Sequence, residues 1–291
     1  MLVGVCLGLY MPSQQTTPVL LIIVVGLLLI ALTCFYVGGM FLNDAFDAKI
    51  DAEERPERPI PSGEVSRVAV FIAGTILLSA GIALVSVATA VTSVGQLQAV
   101  LLAVLLAAAI VLYNAWHKNN PLSPLVMAVC RVLVYLTCSA TITRLDVSQT
   151  LMFVCVAMLC YLSGLTAIAK QENLTRLSNT WPMILLFAPV LLAFFITGRM
   201  DMWVLLAVMI FSAWLVFTVY QLAKGGAGVV GQSVGRMIAG ISLLDMMIVA
   251  ALLAISSGSA AEKWWVAVVL CVICLGCFAL TRRWQQKIPG T

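Results

Sequence analysis

Long unbroken apolar runs restrict the fold of this chain more than any other feature of its sequence. A helix needs about 20 apolar residues to cross a bilayer. Stretches close to that length occur at 19–41, 67–91, 98–116, 125–143, 149–169, 182–198, 203–222, 236–256 and 264–281. Residues 1–11 read as the second half of another span, so the first helix is expected to be truncated. In lipid the backbone must satisfy its own hydrogen bonds, which leaves helices or closed barrels. Barrel strands are short and alternate in polarity, whereas these runs are continuous in Leu, Ala, Val and Ile. Only 10% of the 291 residues are charged and 63% are hydrophobic, against about a quarter charged in a soluble domain. The expected fold is all-α: one domain over residues 1–291, a polytopic transmembrane helical bundle of about nine to ten spans.

Lys and Arg in the connections set the orientation. Segments 42–67, 117–124, 170–181, 223–236 and 282–291 hold twelve of them, and the alternate connections hold only Arg144, Arg199 and Lys263. The first set, which includes the large loops, is therefore expected in the cytoplasm, and chemistry with it. The expected location is a bacterial inner membrane with membrane lipid as solvent. A net charge of +4 gives no case for nucleic acid. The N-terminus carries no basic region and no cleavage signature of a removable signal peptide. Cys271, Cys274 and Cys277 form a literal C-x-x-C-x-x-C. They lie mid-span with no His nearby and read as small buried apolar residues rather than a metal site.

The most informative stretch is 43–63. If the helix of span 19–41 continues through it, each residue turns about 100°, and Asn43, Asp44, Asp47 and Asp51 share roughly 100° of arc. Glu54 joins that face and Lys49 points away. Three carboxylates on one face repel each other, and a helix C-terminus disfavours negative charge. A bound cation relieves both. Mg2+ takes a few carboxylates, retained waters and substrate phosphate oxygens, and Asn43 can add a neutral oxygen or a donor. Arg55 and Arg58 follow in an Arg-Pro-x-Arg-Pro segment whose prolines stop the helix. Guanidinium groups suit phosphate. The residues thus point to a Mg2+-diphosphate site.

Asn43-Asp44-x-x-Asp47-x-x-x-Asp51, with Arg55-Pro-x-Arg58-Pro-x-Pro61-x-Gly63, resembles the first signature of the UbiA superfamily of intramembrane prenyltransferases. Tyr113 to Lys118 is similar to that family's Tyr/Lys region. The Arg-Pro-Glu-Arg-Pro-Ile-Pro-Ser-Gly wording is similar to the UbiA-like EboC branch. The resemblance implies a bundle around a central apolar cavity. It implies Mg2+-dependent transfer of a prenyl group from a prenyl diphosphate to a lipophilic or aromatic acceptor. It makes Asp44, Asp47 and Asp51 the catalytic, metal-holding residues. Asn43, Arg55, Arg58, Lys118, Lys170 and Arg131 are the expected diphosphate contacts. A second aspartate motif should lie at the cytoplasmic end of span 149–169, where the chain reads Ala169-Lys170-Gln171-Glu172-Asn173 without an aspartate. Glu172 is the one carboxylate there that can hold a metal. A membrane protein that handles isoprenoids or metabolites without transferring them is the alternative this departure leaves open.

Arg131 and Asp245 lie inside predicted spans, where ions are costly and face the bundle interior. They either pair with each other, or Arg131 reaches the diphosphate. His117, the only histidine, reads as a solvated boundary residue. Gly226-Ala-Gly228-Val-Val-Gly231 lacks the strand that a dinucleotide fingerprint needs. Gly231-Gln-Ser233-Val-Gly235 lacks the sheet and His of a nucleophile elbow. This Gly-rich stretch is expected to be a flexible loop.

Overall fold

The computed structural model describes residues 3–4, 18–92, 96–117, 120–145, 148–171, 179–197, 201–226, 228–255 and 260–287. All regular structure among them is helical. The helices are α1 (Pro18–Glu54), α2 (Arg67–Thr92), α3 (Gln96–Trp116), α4 (Ser123–Ile142), α5 (Gln149–Ala169), α6 (Pro182–Thr197), α7 (Met202–Lys224), α8 (Val229–Ile255) and α9 (Ala260–Lys287). Eight are long and apolar enough to cross a membrane, and the apolar stretch Pro182–Phe195 of α6 is shorter. The chain is an integral membrane protein, a polytopic helical bundle. Only Val3 and Gly4 of the expected half-span 1–11 are among the described residues.

The helices divide into two compact units, residues 3–145 and 146–291 apart from the first two positions. In the first unit α1 packs along most of α2, and α3 packs on α4. Val24, Leu28, Ala31, Phe35 and Leu42 recur at helical spacing on α1 and fill its core with Leu78, Val85, Ala88, Ala103 and Leu106. The α1–α2 crossing is tight because glycines meet there. A Cβ on Gly38 would stand 2.9 Å from the Gly74 carbonyl oxygen, and one on Gly74 would stand 2.9 Å from Leu42 Cγ. Small residues let membrane helices approach closely enough for backbone contact. Near the end of α1, Phe46 meets Phe71 edge-on at 5.8 Å, and the Arg67 Nε donates to the Ala45 carbonyl at 2.7 Å. Gly38→Ala is expected to force the two helices apart and cost about 1–3 kcal/mol. A lower unfolding midpoint in detergent checks this; an unchanged midpoint would show that the crossing has slack.

In the second unit α8 packs against α5, α6, α7 and α9. Its burial explains this central place: Val230, Val234, Met237, Leu243, Leu244 and Met246 through Leu252 are all buried. The Tyr161 hydroxyl of α5 donates to the Met237 carbonyl at 2.8 Å. α8 begins at Val229, earlier than the expected 236, so Gly231 to Gly235 lie in helix rather than in a flexible loop. Buried Val230, Ser233 and Val234 hold that first stretch, and packing outweighs the poor helix propensity of glycine. The actual turn lies just before it. Gly225, Gly226 and Gly228 take φ of 68°, 125° and 70°, a region that favours glycine.

Candidate functional site

The apolar part of α1 runs without a break into its polar end, so the helix continues through the aspartate stretch to Glu54. Asn43, Asp44, Asp47 and Asp51 therefore share one face, as their spacing requires. Asp47 and Asp51 are buried, at 9% and 6% exposure, while the Asp44 side chain is 53% exposed. Two buried carboxylates demand partners. After the helix stops, Pro56, Pro59 and Pro61 carry the chain through consecutive turns. The Arg58 carbonyl accepts from Ser62 N at 2.9 Å. This path swings Arg58 back over the helix end. Its Nη1 donates to Asp51 Oδ2 at 2.8 Å and lies 3.7 Å from Asp44 Oδ1.

α3 supplies the other wall. Asn114 is buried and donates its Nδ2 to the Gly39 carbonyl at 3.0 Å. Its Oδ1 accepts from Asn43 Nδ2 at 3.3 Å. That pairing orients the Asn43 amide. His117 is not a solvated residue. Its side chain is 18% exposed, with Nε2 3.8 Å from Asp47 Oδ2, and its ring stacks on Tyr113 at 5.1 Å. α3 ends at Trp116 against α1, and that ending tucks the imidazole against the aspartate face. Asn114 and His117 are thus site residues that the motif alone did not single out. The Asn-x-x-His spacing, one helical turn, was the available signal.

Of the other expected residues, Arg55 is exposed and joins the turn through its backbone, donating N–H to the Asp51 carbonyl at 2.8 Å. Arg131 is half-buried on α4 with its guanidinium 5.6 Å from the Tyr135 ring centroid. Lys170 caps α5 in the second unit and is exposed. Partial desolvation still pulls its ammonium below the ordinary lysine value. Asp245 is half-buried on α8, also in the second unit. Lys118, Glu172, Asn173 and Arg176 lie outside the described residues.

The donor set can be tested against Mg2+. Among the described residues no three His, Cys, Asp or Glu groups gather into a common metal cluster. Helix rise separates Asp44 from Asp47 by about 4.5 Å and from Asp51 by about 10.5 Å. Arg58 Nη1 already reaches both Asp51 and Asp44, so an ion placed on this face need not draw on all three carboxylates. That matches Mg2+, which takes few protein ligands and fills the rest with water and phosphate oxygens. Exposed Asp44 and its neighbour Asp47, with the Asn43 amide, fit that demand. Asp51 is already engaged by Arg58.

Comparison with known proteins agrees with this motif. The family described as the UbiA prenyltransferase family matches residues 1–228. A digeranylgeranylglyceryl phosphate synthase of Methanothrix thermoacetophila is 51% identical over 47 residues, 14% of this chain and 18% of that protein. The protein of the same name from Methanoregula boonei is 42% identical over 103 residues, 35% of this chain and 32% of its own. The chain thus matches less than a third of the length of the first relative and about a third of the second. A solved structure described as "Structural and mechanistic insights into the biosynthesis of Digeranylgeranylglyceryl phosphate synthase in membranes" shares the fold. Its TM-score is 0.59 at 17% identity, over 86% of this chain and 91% of that one. The family match takes in the whole aspartate face, the Arg58 turn and the α3 wall, and the chain belongs to the UbiA prenyltransferase family.

Proposed function

We propose that the protein is a Mg2+-dependent membrane prenyltransferase that moves a prenyl group from a prenyl diphosphate to a lipophilic acceptor. One observation carries this reading: an apolar helix of membrane length ends in an Asn and three Asp on one face, with Arg58 folded back onto them. Such an end places a hydrocarbon tail and a diphosphate head beside each other.

Asp44, Asp47 and Asn43 would hold the ion. When bound, Mg2+ supplies positive charge against the leaving diphosphate. Arg58 and Arg55 share that charge, and Arg58 is held ready by Asp51. By the family resemblance, Lys118 and Arg131 would be further cations for the diphosphate. The carbon–oxygen bond of the prenyl diphosphate breaks with its electron pair passing to the diphosphate oxygen. The acceptor then attacks the allylic carbon and gives up a proton. Apolar walls keep water from that carbon. The relatives named digeranylgeranylglyceryl phosphate synthase make a glyceryl phosphate lipid the first acceptor to try. The purified protein in lipid, given labelled prenyl diphosphate, Mg2+ and such an acceptor, should yield a labelled lipid. Absence of labelled product with any lipophilic acceptor would instead favour isoprenoid handling without transfer. The lack of an aspartate at the end of α5 supports that second reading.

The excess of Lys and Arg in the connections supports a cytoplasmic site. Ser62 lies in the turn beside the site. A Ser62→Cys protein in sealed, right-side-out cells should resist an impermeant thiol reagent and react once the membrane is opened. Labelling from outside would invert the orientation.

A further inference from the structure

A second charged cluster lies in the second unit. Its centre is Trp214 of α7. The Trp214 Nε1 donates to the Arg236 carbonyl of α8 at 3.0 Å. The Arg282 guanidinium of α9 lies 5.6 Å from the Trp214 ring centroid. Arg236 places its guanidinium 5.8 Å from the Phe217 ring centroid, and Phe278 meets Trp214 edge-on at 4.8 Å. Gln285 ties the group together. Its Nε2 donates to the Gly235 carbonyl at 2.8 Å, and its Oε1 accepts from Arg282 Nη1 at 2.9 Å.

Both arginines are half-buried, and their positive charges act on each other. Neither is paired with a carboxylate in the ion pairs of the described residues. Solvated boundary arginines have no need of aromatic shelves and a clamping glutamine. Arg283 and Lys287, on the same helix, are exposed and have that ordinary character. Two half-buried guanidinium groups whose charges act on each other are a donor-rich, positively charged pair suited to phosphate.

Depth along the helices says which anion. From Arg236 to the far end of α8 at Ile255 is about 29 Å, and from Ala260 to Arg282 about 33 Å. The hydrocarbon core is about 30 Å thick. Both guanidinium groups thus fall at its edge, where phospholipid phosphates lie. Basic pockets between membrane helices bind anionic headgroups.

We propose that Arg236 and Arg282, gathered around Trp214, form a binding site for a phosphate group, as an anionic phospholipid presents it at that depth. The probes are phosphatidylglycerol, phosphatidylcholine and inorganic phosphate. Native mass spectrometry of the protein from mixed micelles should show phosphatidylglycerol retained in preference to phosphatidylcholine. Each arginine removed should weaken retention about fivefold, and Arg236→Gln with Arg282→Gln about thirtyfold. If phosphatidylglycerol is not preferred, but inorganic phosphate raises the unfolding midpoint of the wild type and not of the double variant, the site stands with a soluble phosphate as its ligand. The proposal is overturned if the wild type favours neither probe, or if the variants keep the preference. Should the double variant not fold, Arg282→Gln alone, near the end of α9, gives the same comparison. The wild-type preference decides independently of any variant.

Discussion

Replacing Asp47 with asparagine is expected to lower prenyl transfer by about 100- to 1,000-fold without unfolding the helices. Asn keeps the size and an acceptor oxygen but removes the charge. Asp47 is buried one turn from Asp44, on the face that Asn43 shares. Its charge is the more sheltered from solvent of the two carboxylates proposed to hold Mg2+, and sheltered charges count most. The fold should tolerate the change. Asp44 and Asp51 already crowd the same face with negative charge, and removing one carboxylate relieves that repulsion. His117 loses the carboxylate 3.8 Å from its Nε2 but keeps its stacking on Tyr113. Transfer rate and unfolding midpoint, measured on the same preparation, check both halves. Activity within twofold of the wild type would remove Asp47 from the centre of the reaction.

Arg58→Ala is expected to reduce both stability and activity. The Asp51 side chain is 8% exposed and its 2.8 Å partner is Arg58. Removing one member of a buried pair leaves the other charge uncompensated, at a cost of about 3 kcal/mol. The lower end of that range applies because Arg58 itself is 29% exposed and partly screened by solvent. In the proposed function the same change also takes a guanidinium away from the diphosphate, so KM for the prenyl diphosphate should rise. Asp51→Asn in the Arg58→Ala background should recover part of the lost stability, since no buried charge is then left unpaired. It should not recover the lost diphosphate affinity. Additive losses in the double variant would mean that the two side chains act independently.

Much of this was readable from sequence, and the limits have physical causes. The helical continuation of α1 followed from four polar residues that share a face only at 3.6 residues per turn. The membrane-spanning architecture followed from run length alone. The return of Arg58 onto Asp51 was not readable, because it depends on the turn path through Pro56, Pro59 and Pro61, and each proline fixes only its own φ. The place of His117 was hidden for a similar reason. The Asn-x-x-His spacing puts the two residues on one face of α3, but it does not say that Asn114 will anchor the helix on the Gly39 carbonyl and bring the imidazole to Asp47. The helical start of α8 was misjudged because glycine marks loops locally, while burial of Val230 and Val234 is a tertiary fact.

Release of diphosphate from a prenyl diphosphate by the purified protein in lipid, followed as Mg2+ is added and then removed with EDTA, tests most directly whether the aspartate face of α1 is a reactive centre. Release is expected to rise with Mg2+, to stop with EDTA, and to stay near background at every Mg2+ concentration in Asp47→Asn. Release that ignores both EDTA and that substitution, or no release from any prenyl diphosphate at saturating Mg2+, would contradict it.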